Sequence, residues 1–375
     1  MEKCSHLMRR AGFGLAHFEV DDYLPLSHGQ RVRRLIAELQ DPAPAEPADF
    51  DPYQPGAPEQ VWLTRMLSGR WRLAEKISLF WHGHFATSNR KVSDPGLMWR
   101  QYCLFRKSGA GHFSTLLKGV SRDVAMLLWL DGNSNRASCP NENYARELLE
   151  LFTLGVGHYQ EKDVREAARA FSGWSCERGR FVFRPEHHDS GQKTFLGHTG
   201  PLGGDDIIDI LCAHPGCAEF VCAKLLRFFA SSNPSEAYLK RLCRVFAASQ
   251  GDLGKTLEAL FNDSEFLDGY ASLVKSPVEF LVTALRALGQ SQVPHWAFGR
   301  LWGMGQALFY PPSVKGWDGG AAWLSGGALV ERMHAADRLA RLTGIPDKTL
   351  ALACDGRSTE LSLAWVLASP QFQLN

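Results

Sequence analysis

The chain has 375 residues, 45% of them hydrophobic and 22% charged, with 41 Lys and Arg against 40 Asp and Glu. That is enough apolar chain for a large dry core, and it lacks the basic excess of a polyanion binder, so nucleic acid is not an expected partner. No run of about 18 apolar residues is available to span a membrane, and a membrane is not an expected partner either. The opening MEKCSHLMRRAGFG has no apolar core of the kind a secretory signal needs. Nine cysteines without a CxxC pair read as free thiols of a reducing compartment, and a cytoplasmic location is expected.

In chain order, Leu35, Ile36 and Leu39 end a first amphipathic segment. A Pro-rich stretch over 41–58 follows and cannot be regular helix, because proline lacks the amide and clashes with the preceding turn; it reads as a linker or surface segment. Beyond it, spacings near 3.6 predict helices over 59–81, 96–107, 113–130, 142–154, 162–173, 204–212, 217–230, 235–249, 253–261, 276–288, 297–308, 327–342 and 358–368. Strand-like alternation is confined to Arg180–Arg184, one arm of a short hairpin. The expected fold is all-α: a single large multi-helix domain over 1–375, or two packed subdomains, with long loops.

Polar chemistry concentrates in Pro140–Phe152. Asn141 is placed to cap a helix, with Glu142 in its first turn. On a 3.6-residue wheel Asn143, Arg146, Glu147 and Glu150 lie within about 140° of Glu142, so all five share one face. The remaining arc is apolar, as in a helix packed on most sides. Three carboxylates around one arginine could act as general acid and base, hold an ion, or simply form i,i+4 pairs on a solvated face.

His82-Gly83-His84 is a second candidate. On a continuous helix the two rings point about 200° apart, and the pair becomes a ligand set only if Gly83 ends the helix. His188 and Asp189, followed by Lys193, sit in a polar Gly-containing loop. Tyr310–Gly320, with Trp317 inside it and Trp323 beyond, is a rigid aromatic loop that could offer a platform to a sugar or another planar face, or form a structural plug. GxGxxG, the phosphate-loop motif, HExxH and GxSxG are all absent, which removes the common nucleotide, zinc-protease and hydrolase-elbow patterns.

Several of these blocks recur in one family. His6–Gly14, Glu75–Phe85, Trp129–Gly132 leading into Asn141–Leu148, Glu161–Trp174, His188–Lys193 and Pro311–Trp317 together resemble the bacterial "domain of unknown function 1800" family over nearly the whole chain. The resemblance implies a bacterial, largely helical protein and supplies no catalytic assignment. Relatives often carry histidine where this chain has Phe152, so a site that needed a histidine there would fail here.

Polar blocks so far apart in sequence are most simply explained by convergence on one pocket. The leading expectation is a metal-assisted hydrolase. His82, His84 and His188, with Glu147 or Asp189, would hold a divalent ion that activates water. Glu142, Glu147 and Glu150 would serve as acid or base, with Arg146 orienting an anionic or hydroxylated substrate. Asn143, Lys193 and Trp317 would be further contacts to a small-molecule or saccharide substrate. The alternatives are a non-haem iron oxygenase, a metal-free glycoside hydrolase drawing a second carboxylate from Asp163 or Asp189, and a non-catalytic helical binding or scaffold protein.

Overall fold

The structure, a computed structural model, describes residues 2–42, 44–269, 273–342 and 359–375. Helices dominate, as the spacings predict, and the exceptions are two small antiparallel hairpins. Many helix starts are set by short polar side chains: Asp94, Asp123, Ser235, Asp252, Ser276 and Ser369 each accept a first-turn amide.

The predicted span 59–81 is divided into Ala57–Leu67 and Arg72–His84. Gly69 lies in the break with φ 72°, and a side chain there would collide with Glu19 and Arg286. The span 113–130 also divides, because Asp123 caps a new helix over Val124–Trp129. Sequence spacing misses both breaks because the apolar period continues across them.

The hairpin expected near Arg180 is β1 (Trp174–Glu177) paired with β2 (Arg180–Phe183), with Trp174 opposite Phe183. A second pair, β3 (Lys193–Phe195) and β4 (His198–Gly200), was not apparent from alternation. Both are closed by two-residue turns, Arg178-Gly179 and Leu196-Gly197, with positive φ at each position. Such turns match the strand twist.

The Arg72–His84 helix organises the interior: every residue in it except Gly83 is buried. Ile77, Phe80 and Trp81 enter one apolar cluster with Leu7, Phe152 and Phe229, while Leu79 enters another with Trp62 and Phe280. A helix enclosed this way must satisfy its charges internally. Glu75 accepts from Arg106 and from Tyr102, each at 2.9 Å. Lys76 pairs with Glu279 and donates to the Gly12 carbonyl at 3.0 Å. This part of the polar signature is therefore core architecture.

The Pro-rich segment lies against the helices as an ordered strap. Arg65 donates to the Pro44 carbonyl at 3.0 Å, the Trp99 indole donates to Glu46 at 2.5 Å, and Phe50 stacks 4.7 Å from Trp99. Among the described residues no helix is long and apolar enough to cross a membrane.

Candidate functional site

The polar helix begins much as its sequence suggests. The Asn141 side chain accepts the Asn143 amide at 2.9 Å, and regular α-helix runs over Asn143–Glu147. It then widens into a π-helix over Leu148–Thr153, where Leu154 and Gly155 both donate to the Leu149 carbonyl. Single π turns inside α-helices occur often at functional sites. Tyr144, Ala145, Leu148, Leu149, Phe152 and Thr153 are buried, so the wide apolar arc is packed.

The face opposite divides its residues among different tasks. Arg146 makes a two-point bond to Glu161, both contacts 2.8 Å, and a 3.0 Å bond to Glu142. Glu150 accepts from Tyr159 at 3.4 Å, and Asn143 donates to Asp131 at 3.5 Å. Glu147 carries no such partner among the described residues. Burial, then the neighbouring Glu150 charge, raises its carboxyl above the usual range, while Arg146 and Lys315 act against the rise.

Helix continues through Gly83, so His82 and His84 point to different neighbours. The His82 Nε2 accepts the Phe309 amide at 2.9 Å. Burial pulls this imidazole down to a pKa of about 3, so it is neutral. It pins the residue that opens the aromatic loop, and Phe309 itself has φ 64°, uncommon for a side chain of that size. His84 instead donates from Nε2 to the Phe152 carbonyl at 3.0 Å. Its Nδ1 is buried without a hydrogen-bond partner. Burial and the Lys224 charge hold the ring well below its ordinary pKa. Lys224 donates to the Leu151 carbonyl at 2.9 Å, so a histidine and a lysine together cap the carbonyls of the π-helical end.

The aromatic loop docks directly on this helix. Gly316 has φ 80°, and a Cβ built there would sit 2.3 Å from the Gly83 carbonyl oxygen. Gly316 thus lets the VKGW loop touch the WHGH helix backbone to backbone, whereas a Cβ at Gly83 would meet no neighbour. Trp317 then lies half-buried, its ring 5.3 Å from His82.

Beside this junction is a cavity of about 470 Å³, within the range of small-molecule sites. Phe80, Phe228, Trp317 and Trp323 give it apolar walls, and His84 contributes to the lining. Four cations (Arg10, Lys224, Arg227 and Lys315) face two carboxylates, Glu279 and Asp318. Glu279 is already matched by Lys76, which with Arg10 lowers its carboxyl to about 2 although burial alone would raise it. Arg10 spends its guanidinium on the Phe228 and Phe229 carbonyls. Lys224, Arg227 and Lys315 form no ion pair with a described residue, which leaves the lining electropositive.

The His188 loop belongs elsewhere. Asp189 is clasped by Arg169 at 2.7 and 3.2 Å, which holds its carboxyl below the usual range. The His188 Nδ1 donates to the Ser172 carbonyl at 2.8 Å. The Lys193 side chain is fully buried and donates to the Asp189 and Gly191 carbonyls. Asp163, the other carboxylate considered for glycosidase chemistry, accepts the Gln160 and Leu196 amides. These groups are consumed in fixing the loop and β3.

The site residues expected from sequence therefore separate. His84 and Trp317 meet at the cavity, and Glu147 lies within electrostatic reach of Lys315, which also lines it. His188, Asp189 and Lys193 form a saturated loop clamp. Among the described residues, no three His, Cys, Asp or Glu side chains are grouped as metal ligands. Sequence reasoning did not single out Lys224, Arg227 or Asp318. The available signal was two cations three residues apart in the helix Pro215–Phe229, where Glu219 is the one other charge.

Fold and site together define a largely helical protein with an electropositive, aromatic-walled cavity where the His84 helix, the Pro215–Phe229 helix and the aromatic loop meet. The family model described as Protein of unknown function (DUF1800) matches residues 6–373, and the chain belongs to that family. No curated protein matches it, and no solved structure does.

Proposed function

We propose that the protein acts on a small organic molecule in the cavity walled by His84, Lys315 and Trp317, with Glu147 supplying acid–base chemistry for hydrolysis. One observation carries the reading: sequence blocks near residues 10, 80, 225 and 317 meet around a cavity whose Lys224, Arg227 and Lys315 form no ion pair with a described residue. Structural charges elsewhere are matched at Glu75–Arg106 and Asp189–Arg169. Burial lowers the Lys224 ammonium to about 8, a cost in stability that is retained where a ligand supplies the missing partner.

The chemistry assigned to Glu147 follows from its environment. A carboxyl raised by burial and by a neighbouring carboxylate keeps its proton to higher pH, the property a general acid needs. Lys315 is positioned to steady the anion left after proton transfer. This reading uses the chain's own carboxylates and does not need His82, His84, His188 and Asp189 to converge on an ion.

The test is a thermal-shift screen of small esters, phosphoesters and glycosides on the wild type and on Trp317→Ala, followed by turnover assays of the hits with Glu147→Gln. Hits whose stabilisation disappears in Trp317→Ala, and whose turnover disappears in Glu147→Gln, are expected. Equal stabilisation of wild type and Trp317→Ala would remove the cavity from consideration. Retained binding without turnover in the wild type would favour the non-catalytic binding protein. A specific observation supports that second reading: much of the polar signature, from Glu75 to Lys193, is spent on architecture.

A further inference from the structure

The charge left over in the cavity has a direction. Lys224 and Arg227 lie three residues apart on the Pro215–Phe229 helix, so they project from the same side of it. Lys315 adds a third cation from the aromatic loop, and all three line the same space. Lys224 uses one N–H on the Leu151 carbonyl, and an ammonium has two more to offer. Phe228 and Trp317 provide apolar and aromatic surface beside these charges.

We propose that the ligand of this cavity is a small organic oxyanion, a carboxylate or phosphate monoester. Its charged end is held by Lys224, Arg227 and Lys315, and its flat apolar body lies against Trp317 and Phe228. This rests on the reading of the cavity as the ligand site and adds the chemical class of what fills it. Charge-assisted hydrogen bonds are the strong ones in a partly desolvated site. Three cations around one cavity are too few for a polymer backbone, whose recognition needs an extended basic surface.

The surroundings of Lys224 also set a pH dependence. Arg227 shares its helix; His84 and the Leu151 carbonyl face it from the neighbouring helices; Lys315, Asp318, Glu279 and Arg10 complete the cavity's charges. Burial, then the Arg227 charge, lowers the Lys224 ammonium to about 8, so it remains largely protonated at neutral pH. His84 is uncharged there and does not titrate in the same window. Anion affinity is expected to fall as the pH rises through about 8.

The experiment is calorimetric titration of the full chain with benzoate, phenyl phosphate and uncharged benzyl alcohol. It uses the wild type, Lys224→Met, Lys224→Arg and Lys240→Met, the last removing an exposed charge outside the cavity. Binding of at least one anion, weakened about ten- to a hundredfold by Lys224→Met and largely restored in Lys224→Arg, is expected, with Lys240→Met unchanged. Whether benzoate or phenyl phosphate binds more tightly separates the two oxyanions. Benzyl alcohol binding as tightly as the anions, with Trp317→Ala abolishing both, would overturn the anion class and leave the ligand site standing. Absence of binding by all three probes at roughly 10 mM would overturn the anion proposal. A panel of neutral glycosides would then decide separately whether the cavity is the site. Equal loss in Lys240→Met and Lys224→Met would reduce the effect to bulk charge and also overturn it.

Discussion

Two polar regions of this molecule look alike in sequence and differ in chemistry. The Asp189 loop and the cavity beside His84 both combine histidine, lysine and carboxylate near glycines. In the loop, every one of those charges has found a protein partner: Asp189 with Arg169, Lys193 with two backbone carbonyls, His188 with Ser172. In the cavity, Lys224 donates one N–H to the Leu151 carbonyl, and Lys224, Arg227 and Lys315 form no ion pair with a described residue. Residue type marks a region as polar, but whether its valences are already filled decides between architecture and function.

The strongest way to break this contrast is at the junction that forms the cavity. Gly316→Ala would force a side chain into a left-handed backbone position and against the Gly83 carbonyl. A loss of about 2–4 kcal/mol is expected, measured by urea denaturation. An unchanged midpoint would mean that the loop is not docked on the helix.

Next in size is the clamp. Asp189→Ala leaves Arg169 with Glu166 alone and the buried Lys193 without its neighbouring carboxylate, and about 1–3 kcal/mol should be lost. Its pH dependence has a definite sign. A depressed folded-state carboxyl stabilises above its unfolded value and loses that contribution as the pH falls through the folded value. The wild type and Asp189→Ala should therefore converge in stability only in acid, below the ordinary Asp range. Ligand binding at the cavity should survive this substitution if the two regions are separate.

Lys224→Met should behave in the opposite way. The folded-state ammonium lies at about 8, below its unfolded value near 10.4, so between these limits the unfolded chain binds more protons and stability rises with pH. Removing the charge abolishes that rise and leaves the protein as stable as wild type, or more so, at pH 7. Chemical denaturation at pH 7 and pH 10 measures both. A large loss at neutral pH would make Lys224 a structural cap of the π-helical end instead.

Smallest of all should be Arg146→Ala. Its pairs with Glu142 and Glu161 are half-exposed, so a change of less than about 1 kcal/mol is expected. A loss of several times that would show that the face of the Asn143–Thr153 helix is a register-fixing network after all.

The helical architecture was legible because apolar spacing reports directly on which face is packed. What it could not register were local interruptions: Gly69, where the period runs on while the backbone turns, and the π turn after Glu147, which shifts the wheel on which Glu150 was placed. The hairpin β3–β4 was too short for alternation to register. For the site, His84 and Trp317 were recoverable as members of polar and aromatic blocks. The pairing of His82 with His84 depended on whether Gly83 ends the helix, and the helix runs through it. Lys224 and Arg227 stayed hidden because a lysine and an arginine on an amphipathic helix look like an ordinary solvated edge. Only the partners of a charge, which are tertiary facts, distinguish Lys193 from Lys224.

Two tryptophans report on the two regions and allow the contrast to be tested in one sample. Trp317 lines the cavity, and Trp174 follows Gly173, which packs against His188 in the clamp. With fluorotryptophan incorporated and both resonances assigned by Trp→Phe variants, fluorine NMR would follow a titration with benzoate and phenyl phosphate. A saturable shift of Trp317, lost in Lys224→Met, with Trp174 unmoved, is the expected result. A shift confined to Trp174, or one at Trp317 that persists in Lys224→Met, would contradict the assignment of function to the unpaired cations of the cavity.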